Sequence, residues 1–226
     1  MNFKEFKRYK SQFVTAIRQA VTEGEPRMFN GAAFPAYLHT NPIINFLFWE
    51  RIRKVINFLE RAPHYTLAMD FGCGSGVMLP FLGRVCDKVV AIDIDLFPLE
   101  EVEAHVRFPD NVEFRDAHQI QIRDFPATSF DVIVALNVLE HVENLVQTLA
   151  DLLVLLRPKG KLIICGPTEN LTYKIGRVLA GPEYSGNYHR RSVYDVKEVL
   201  ASLTTIEKIA TLYYPIPLYE IFYGTA

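Results

Sequence analysis

The stretch Leu67-Ala-Met-Asp-Phe-Gly-Cys-Gly-Ser-Gly76 predicts a buried strand that runs into a glycine turn and then a helix. Tyr65 to Met69 is mostly apolar, Asp70 stands at the end of the strand, and three glycines alternate after it. Glycines at this spacing let the backbone adopt positive φ values and leave no Cβ in the way of a ligand. The helix that follows directs its unpaired N–H groups toward the same place. The segment therefore predicts a ligand-binding turn.

The residues around the turn narrow the class of ligand. A dinucleotide fingerprint has the spacing G-x-G-x-x-G, but here it is G-x-G-x-G, and Val77 stands where the third glycine would fall. Asp70, before the first glycine, suits a cationic group better than a pyrophosphate. Asp93 ends a second apolar strand about 20 residues further on, the distance at which a carboxylate meets a ribose diol. A ribose and a positive charge without a pyrophosphate describe S-adenosylmethionine (SAM) better than NAD.

Successive segments of the chain resemble, in order, the motifs of the class I SAM-dependent methyltransferases. They are Asp70-Phe-Gly-Cys-Gly-Ser-Gly76, Ala91-Ile-Asp93, Phe114-Arg-Asp-Ala117, Phe130-Asp-Val-Ile-Val-Ala-Leu-Asn-Val-Leu-Glu-His141 and Leu156-Arg-Pro-Lys-Gly-Lys-Leu162. The resemblance implies an α/β fold of the Rossmann-like type. It has a seven-stranded, mostly parallel sheet with an antiparallel last strand, helices on both faces and, in this chain, an N-terminal helical cap.

The pattern of apolar residues agrees with alternating strands and helices from residue 65 onward, which requires a parallel sheet covered on both faces. Strands are predicted near residues 65–71, 88–93, 112–116, 130–136 and 160–166. Asn144 to Leu156 predicts a helix, and Ser192 with Asp195 predicts the capping box of another. Ile206–Leu212 and Leu218–Tyr223 resemble the closing antiparallel strand pair of the family.

Two helices are predicted before the first strand. Asn2 with Glu5 predicts the capping box of the first, and Asn41-Pro42 predicts the start of the second, which runs to about Glu60. We expect residues 1–42 to form the cap and residues 43–226 the methyltransferase domain, within one domain overall and with a cap insert at residues 168–191. On the second helix, one group is expected to form the solvated side of a packed helix, with contact to a membrane or an anionic tail as the alternative: Phe46, Trp49, Arg51, Arg53 and Lys54.

The resemblance assigns a cofactor site at the carboxyl ends of the strands. It implies that Asp70 and the turn backbone face the amino-acid end of SAM, Asp93 binds the ribose, Ile94 packs on the adenine, and Asp116 with the Ala117 N–H binds its edge. Leu136 and Asn137 are expected to line the floor near the methionine. The full predicted set is Asp70, Gly72, Cys73, Gly74, Gly76, Asp93, Ile94, Asp116, Ala117, Leu136 and Asn137. For Asp93 and Asp116 the alternative is a helix cap or a surface ion pair, whereas Asp131 is expected to be structural.

Two histidines are candidate catalytic bases. His141 follows the fourth strand, close to the expected methyl position, and His189 lies in the loop expected to close over the acceptor. A base is needed only where the acceptor arrives protonated with a high pKa. Each histidine is therefore either a catalytic group or an ordinary polar loop residue.

A metal is not expected, because Asn137 stands where metal-binding relatives have the first carboxylate of a Glu-x-x-Glu-His cluster. Nucleic acid is also an unexpected partner, since 24 basic and 26 acidic residues give a net charge of −2. The chain shows neither a signal peptide nor an apolar run of the ~20 residues needed to span a bilayer. Its three cysteines are expected to be buried thiols, and the location cytoplasmic. The stretch Leu212–Leu218 is a candidate homodimer contact that the sequence does not decide.

The sequence thus predicts transfer of the SAM methyl group to a small-molecule acceptor by in-line displacement, giving S-adenosylhomocysteine (SAH). Aromatic residues of the cap suit a hydrophobic or aromatic acceptor, but they equally suit the packing of a cap on a core. One alternative is a SAM-binding regulatory or partner subunit without turnover. The other is a nicotinamide oxidoreductase, which the missing third glycine disfavours.

Overall fold

A computed structural model describes residues 1–24, 34–62, 64–171, 173–174, 191–213 and 215–226. The described α-helices are α1 (Phe3–Glu23), α2 (Phe34–Tyr37), α3 (Pro42–Leu59), α4 (Leu79–Val85), α5 (Phe97–Glu103), α6 (Leu145–Leu155) and α7 (Val193–Leu203). The strands are β1 (Tyr65–Phe71), β2 (Cys86–Asp93), β3 (Val112–Asp116), β4 (Phe130–Leu136), β5 (Leu156–Pro167), β6 (Ile206–Leu212) and β7 (Tyr219–Thr225).

The strands form one seven-stranded sheet in the order β3-β2-β1-β4-β5-β7-β6. Strands β1 to β5 pair in parallel, and β7 runs antiparallel to both β5 and β6. The predicted fold class, including the antiparallel last strand, is confirmed. Because the strand order reverses between β1 and β4, a crevice opens at their carboxyl ends, where ligands bind in sheets of this kind.

Local sequence signals fix where several helices begin. The side chains of Asn2 and Glu5 form a reciprocal capping box at α1, and Ser192 with Asp195 does the same at α7. Asn41 accepts a hydrogen bond from the Ile43 N–H at the start of α3, whose first residue is a proline. These caps satisfy N–H groups that have no partner inside the helix, and all three were predicted.

Strand β5 is longer than the prediction of residues 160–166. It begins at Leu156, which pairs with Phe130, and the register then shifts so that Lys161 pairs with Val132. Within this bulge Lys159 has a φ of 68°. The extra residues on one strand explain why a pattern of alternating side chains does not detect this part of β5.

Asp131 has the structural role that the sequence predicts. One carboxylate oxygen accepts from the N–H groups of Thr66 and Leu67 at 2.6 and 2.9 Å. The other accepts from Arg157 Nη1 at 2.6 Å. This carboxylate therefore ties the beginning of β1 to β4 and β5, at the end of the sheet opposite the crevice.

The N-terminal helix packs into the same core as the sheet. Phe6 and Phe13 of α1 meet the ring of Trp49 edge-on at 6.3 and 6.4 Å, and Trp49 is 1% exposed. Phe13 and Ile17 are fully buried in the core cluster that also contains residues of β1, β2 and α4. No helix in the described ranges is both long and apolar enough to cross a membrane.

The expectation that one face of α3 is solvated is wrong for two of its residues. Phe46 is exposed, but Trp49 and Arg51 are 1% and 2% exposed. Helix α3 contacts α2 and α1 as well as strands β6 and β7, so it has packing partners on more than one side. The apolar stripe in a helix sequence predicts one packing face, so it does not show that a helix is covered on several sides.

The packing of α1 yields a stability prediction. Phe13→Ala removes a side chain that is 1% exposed, so we expect the free energy of unfolding to fall by about 3–5 kcal/mol in urea titrations. Phe3→Ala, on the same helix but 69% exposed, serves as the control and should change it by less than about 0.5 kcal/mol. Equal effects of the two variants would show that α1 does not belong to the core.

Candidate cofactor and acceptor site

The glycine turn has the backbone conformation that the sequence predicts. Gly72, Gly74 and Gly76 have φ values of 74°, 52° and 76°. A Cβ on Gly72 would lie 2.4 Å from a methyl carbon of Val138, closer than side-chain packing allows. The turn is also anchored to the neighbouring strand, because the Gly72 and Cys73 N–H groups donate to Ile92 O at 2.8 and 3.0 Å.

Asp93 lies at the carboxyl end of β2, directly beside the turn. One of its carboxylate oxygens accepts from the Gly74 N–H at 2.7 Å, and the other from the Asp95 N–H at 3.2 Å. Burial raises the pKa of Asp93, and these N–H groups oppose the rise. Asp93 therefore supports the turn as well as facing the crevice, and its predicted role toward a ribose stays a prediction.

Asp70 is a buried carboxyl group whose pKa is raised. It is 3% exposed, and none of the described residues forms an ion pair or a side-chain hydrogen bond with it. Burial, assisted by the neighbouring Asp93, raises the pKa of Asp70 to about 7. A cationic group brought beside Asp70 would favour its ionised form.

Two hydroxyl groups at or near the turn, those of Ser75 and Tyr9, were not predicted from the sequence. Ser75 is 2% exposed, and its buried Oγ has no hydrogen-bond partner within the described part of the protein. Tyr9 of α1 donates its hydroxyl hydrogen to Val77 O just after the turn. Burial and the nearby Tyr37 and Asp70 raise the pKa of Tyr9. Helix α1 thus reaches the edge of the crevice through Tyr9.

The predicted adenine-binding residues lie together at the ends of β2 and β3. Ile94 is 68% exposed, which is unusual for a large apolar side chain at the end of a buried strand. Asp116 accepts from the His118 N–H and from Gln119 Nε2, both at 2.8 Å. The Ala117 N–H donates to Asp93 O at 2.8 Å, so it is already satisfied by the main chain. The adenine contacts of these residues remain predictions.

Leu136 and Asn137 lie at the end of β4, and the Asn137 side chain forms hydrogen bonds with Arg51 and Glu140, which are both buried. Asn137 has a φ of 57°, and its N–H donates to Cys165 O at 2.8 Å. Its side-chain oxygen accepts from Arg51 Nη1, and its side-chain nitrogen donates to Glu140 Oε1 at 3.3 Å. Burial raises the pKa of Glu140 to about 7, although Asn137 and Arg51 both oppose the rise.

Of the two candidate bases, His141 belongs to the described residues and His189 does not. His141 is exposed at the rim after β4, and its N–H donates to Val138 O at 3.0 Å. His189 and most of the predicted insert at residues 168–191 lie outside the described residues. Among the residues that are described, no three His, Cys, Asp or Glu side chains come together as metal ligands would.

Comparisons with known proteins agree with this geometry. Residues 69–164 match the family model described as a methyltransferase domain. The chain is 36% identical over 141 residues to the ubiquinone biosynthesis O-methyltransferase of Nitrosococcus oceani, covering 56% of this chain and 59% of that protein. It is 26% identical over 161 residues to the protein of that name from Bartonella quintana, covering 66% of this chain and 64% of that protein. The matched segment, residues 69–164, is therefore similar to a methyltransferase domain and makes up less than half of the chain.

Solved methyltransferase structures share the fold of this chain. The N-methyltransferase NodS of Bradyrhizobium japonicum, determined with SAH, superposes with a TM-score of 0.60 at 15% identity, covering 95% of this chain and 100% of NodS. At that identity the likeness concerns the fold. The chain spans between a half and two thirds of the length of the first curated relatives that it matches.

SAM is the cofactor of the family, and the residues at the turn fit it. A Cβ on Gly72 or Gly76 would collide with packed side chains, so the close turn requires glycine there, and the buried Ser75 hydroxyl has no hydrogen-bond partner among the described residues. Asp70 offers an acceptor for a positive charge, and Asp93 presents a carboxylate at the end of the adjacent strand. The predicted contacts of Asp70 with the amino-acid end of the cofactor and of Asp93 with its ribose remain predictions.

Sequence reasoning missed Arg51, Glu140 and Ser75 as members of the site. Arg51 was placed on a solvated face, although it is buried and bonded to Asn137. Ser75 stands between Gly74 and Gly76, so its place in the glycine turn could have indicated that it belongs to the site. Nothing local in the sequence shows that Glu140 is buried or that it interacts with Arg51, which lies far from it along the chain.

The raised pKa of Asp70 yields a prediction for the pH dependence of stability. The carboxyl ionises at 3.8 ordinarily and near 7 in the folded protein, so the folded state binds more protons between these values. The free energy of unfolding contributed by Asp70 therefore falls as the pH rises through this window. We expect Asp70→Asn to stabilise the ligand-free protein by up to about 4 kcal/mol at pH 8 and not at pH 4, by urea unfolding.

Asp110→Asn is the control for this comparison, since Asp110 is a surface carboxylate with an 84% exposed side chain. It should change the free energy of unfolding by less than about 0.5 kcal/mol at either pH. An Asp70→Asn gain of the same size at pH 4 and pH 8 would contradict the assignment, because it would be independent of ionisation.

Proposed function

We propose that this chain transfers the methyl group of SAM to a small hydrophobic or aromatic molecule, producing SAH. The observation that carries the proposal is the pair of carboxyl groups, Asp70 and Asp93, at adjacent strand ends around a glycine turn. Relatives named as O-methyltransferases support a hydroxyl group as the acceptor. When bound, SAM supplies an electrophilic sulfonium methyl group.

The chain's own contribution is alignment and exclusion of water. Holding two reactants in line can lower the barrier by roughly 7–11 kcal/mol. Asp70 and the turn would orient the cofactor, and Asn137 at the end of β4 would separate it from the acceptor. Aromatic residues near Arg51, namely Tyr37, Phe48, Tyr173 and Tyr219, pack edge-to-face and would supply an apolar wall.

Removal of a proton from a hydroxyl acceptor needs a nearby base. His141 at the exposed rim is the base we propose, and Glu140 is the second candidate. A carboxyl group whose pKa is about 7 can both accept and release a proton near neutral pH. His189 stays a prediction from the sequence.

Cofactor binding is testable by thermal unfolding with SAH, with NAD as the competing ligand. A ligand at a hundred times its Kd adds about 2.7 kcal/mol, so the Tm should rise by roughly 5–10 °C with SAH and remain unchanged with NAD. Asp93→Ala should remove the shift. Asp87→Ala, at the opposite end of β2 and exposed, should retain it. A shift with NAD alone would favour the nicotinamide oxidoreductase.

Turnover is tested by incubating the protein with methyl-labelled SAM and a small-molecule extract of cells. We expect the label to enter compounds extractable into an organic solvent, and Asp70→Asn to lower its transfer at least about tenfold, because the charge facing the cofactor is lost. Asp110→Asn is again the matched control. Tight SAH binding without any labelled product would contradict turnover and favour the regulatory subunit.

A further inference from the structure

Pro80 removes a hydrogen-bond donor from the segment that follows the glycine turn. The Phe81 N–H donates to Met78 O at 3.1 Å, and the Leu79 N–H makes the same kind of bond, at 2.9 Å, to the carbonyl three residues before it. This pattern would direct the N–H of residue 80 to Val77 O. Proline has no N–H, and no main-chain N–H of the described residues donates to Val77 O.

A side chain of helix α1 supplies the missing donor. The Tyr9 hydroxyl donates to Val77 O, and burial raises the pKa of Tyr9, so the hydroxyl keeps its hydrogen near neutral pH. Val77 is 6% exposed, and a buried carbonyl without a donor costs free energy. The bond from Tyr9 therefore satisfies the carbonyl that Pro80 leaves without a main-chain donor.

The ring of Tyr9 is held by its neighbours on α1. It stacks on Phe6 at 6.3 Å and on Phe13 at 6.5 Å, and both of these rings meet Trp49 edge-on. Because Phe6, Phe13 and Trp49 belong to the buried core, they restrict where the Tyr9 hydroxyl can lie. Tyr9 is thus a link between the core and the end of the glycine turn.

Val77 is close enough to the proposed cofactor position for this link to affect it. It directly follows the last glycine of the turn, and the Gly74 N–H donates to the Asp93 carboxylate at 2.7 Å. The turn is therefore held at Asp93 on one side and at Tyr9 on the other. Ser75, whose buried hydroxyl has no hydrogen-bond partner among the described residues, lies between these two points.

We propose that Tyr9 is a positioning residue for the cofactor: its hydroxyl group replaces the donor that Pro80 lacks and holds the glycine turn in the form that binds SAM. Tyr9 acts through the turn and does not contact the reacting atoms. The affinity for the cofactor then depends on the bond between Tyr9 of α1 and Val77 O. This inference rests on the proposed function and concerns the same site.

The test measures SAH affinity by isothermal titration in a cycle of variants. Tyr9→Phe keeps the stacked ring but removes the donor, so we expect SAH binding to weaken at least about fivefold. Pro80→Ala restores an N–H three residues after Val77 and alone should change the affinity by less than about twofold. In the double variant, Tyr9→Phe with Pro80→Ala, this N–H can replace the lost hydroxyl, so the affinity should return to within about twofold of the wild type.

Tyr65→Phe is the matched control. The Tyr65 hydroxyl also donates to a main-chain carbonyl, that of Leu59 at 3.0 Å, but it belongs to the first residue of β1, at the end of the sheet opposite the crevice. This variant should keep the wild-type SAH affinity within about twofold. A purely structural role of Tyr9 would lower the stability of Tyr9→Phe without changing its SAH affinity.

Amide hydrogen exchange of the ligand-free protein gives a readout that does not depend on the cofactor. The Gly76 N–H donates to Cys73 O and the Leu79 N–H to Gly76 O, both at 2.9 Å. We expect Tyr9→Phe to raise the exchange rates of these two N–H groups at least about fivefold, because the turn opens more often. The double variant with Pro80→Ala should reverse this increase.

Two results of the titration would overturn the inference. One is an SAH affinity of Tyr9→Phe equal to that of the wild type, and the other is a weakened affinity that Pro80→Ala does not restore. Failure of the wild-type protein to bind SAH would contradict the proposed function and, with it, a cofactor role of Tyr9. Unchanged exchange at Gly76 and Leu79 in Tyr9→Phe would instead contradict the role of Tyr9 alone.

Discussion

The hydrogen bond from the Gly74 N–H to the Asp93 carboxylate, 2.7 Å long, joins the two strands on which the cofactor site depends. It brings the glycine turn at the end of β1 against the end of β2, and the bonds from Gly72 and Cys73 to Ile92 O reinforce that junction. The turn can approach so closely only because Gly72 has no Cβ that would strike Val138. The position of Asp70 relative to Asp93 follows from this junction.

Buried ionisable groups lie near the carboxyl ends of the strands. Asp70 and Asp93 lie at the ends of β1 and β2, and Arg51 of α3 is linked to Glu140 through the side chain of Asn137 after β4. Among the described residues Asp70 forms no ion pair, and the burial of such a carboxyl group destabilises the ligand-free fold. The raised pKa of Asp70 is one sign of this cost. The aromatic cluster of α1 with Trp49 and the continuous sheet core supply compensating stability.

The sequence predicted the parts of the fold that depend on local chemistry. The glycine turn, the capping boxes at Asn2 and Ser192, and the proline start of α3 are each specified within a few residues. The burial of Arg51 could not be predicted in this way. Its neighbours Tyr37 and Tyr219 are far apart along the chain, and α3 contacts elements on several sides. The bulge at Lys159 was missed because it interrupts the alternation by which strands are recognised.

A crystal structure of the SAH complex would locate the ligand relative to both carboxyl groups. We expect the ribose hydroxyl groups to bond to the Asp93 carboxylate and the amino group of the homocysteine to lie beside Asp70. The thioether sulfur should then face Asn137. A ligand bound away from the glycine turn, or a ribose without contact to Asp93, would contradict the proposed cofactor site.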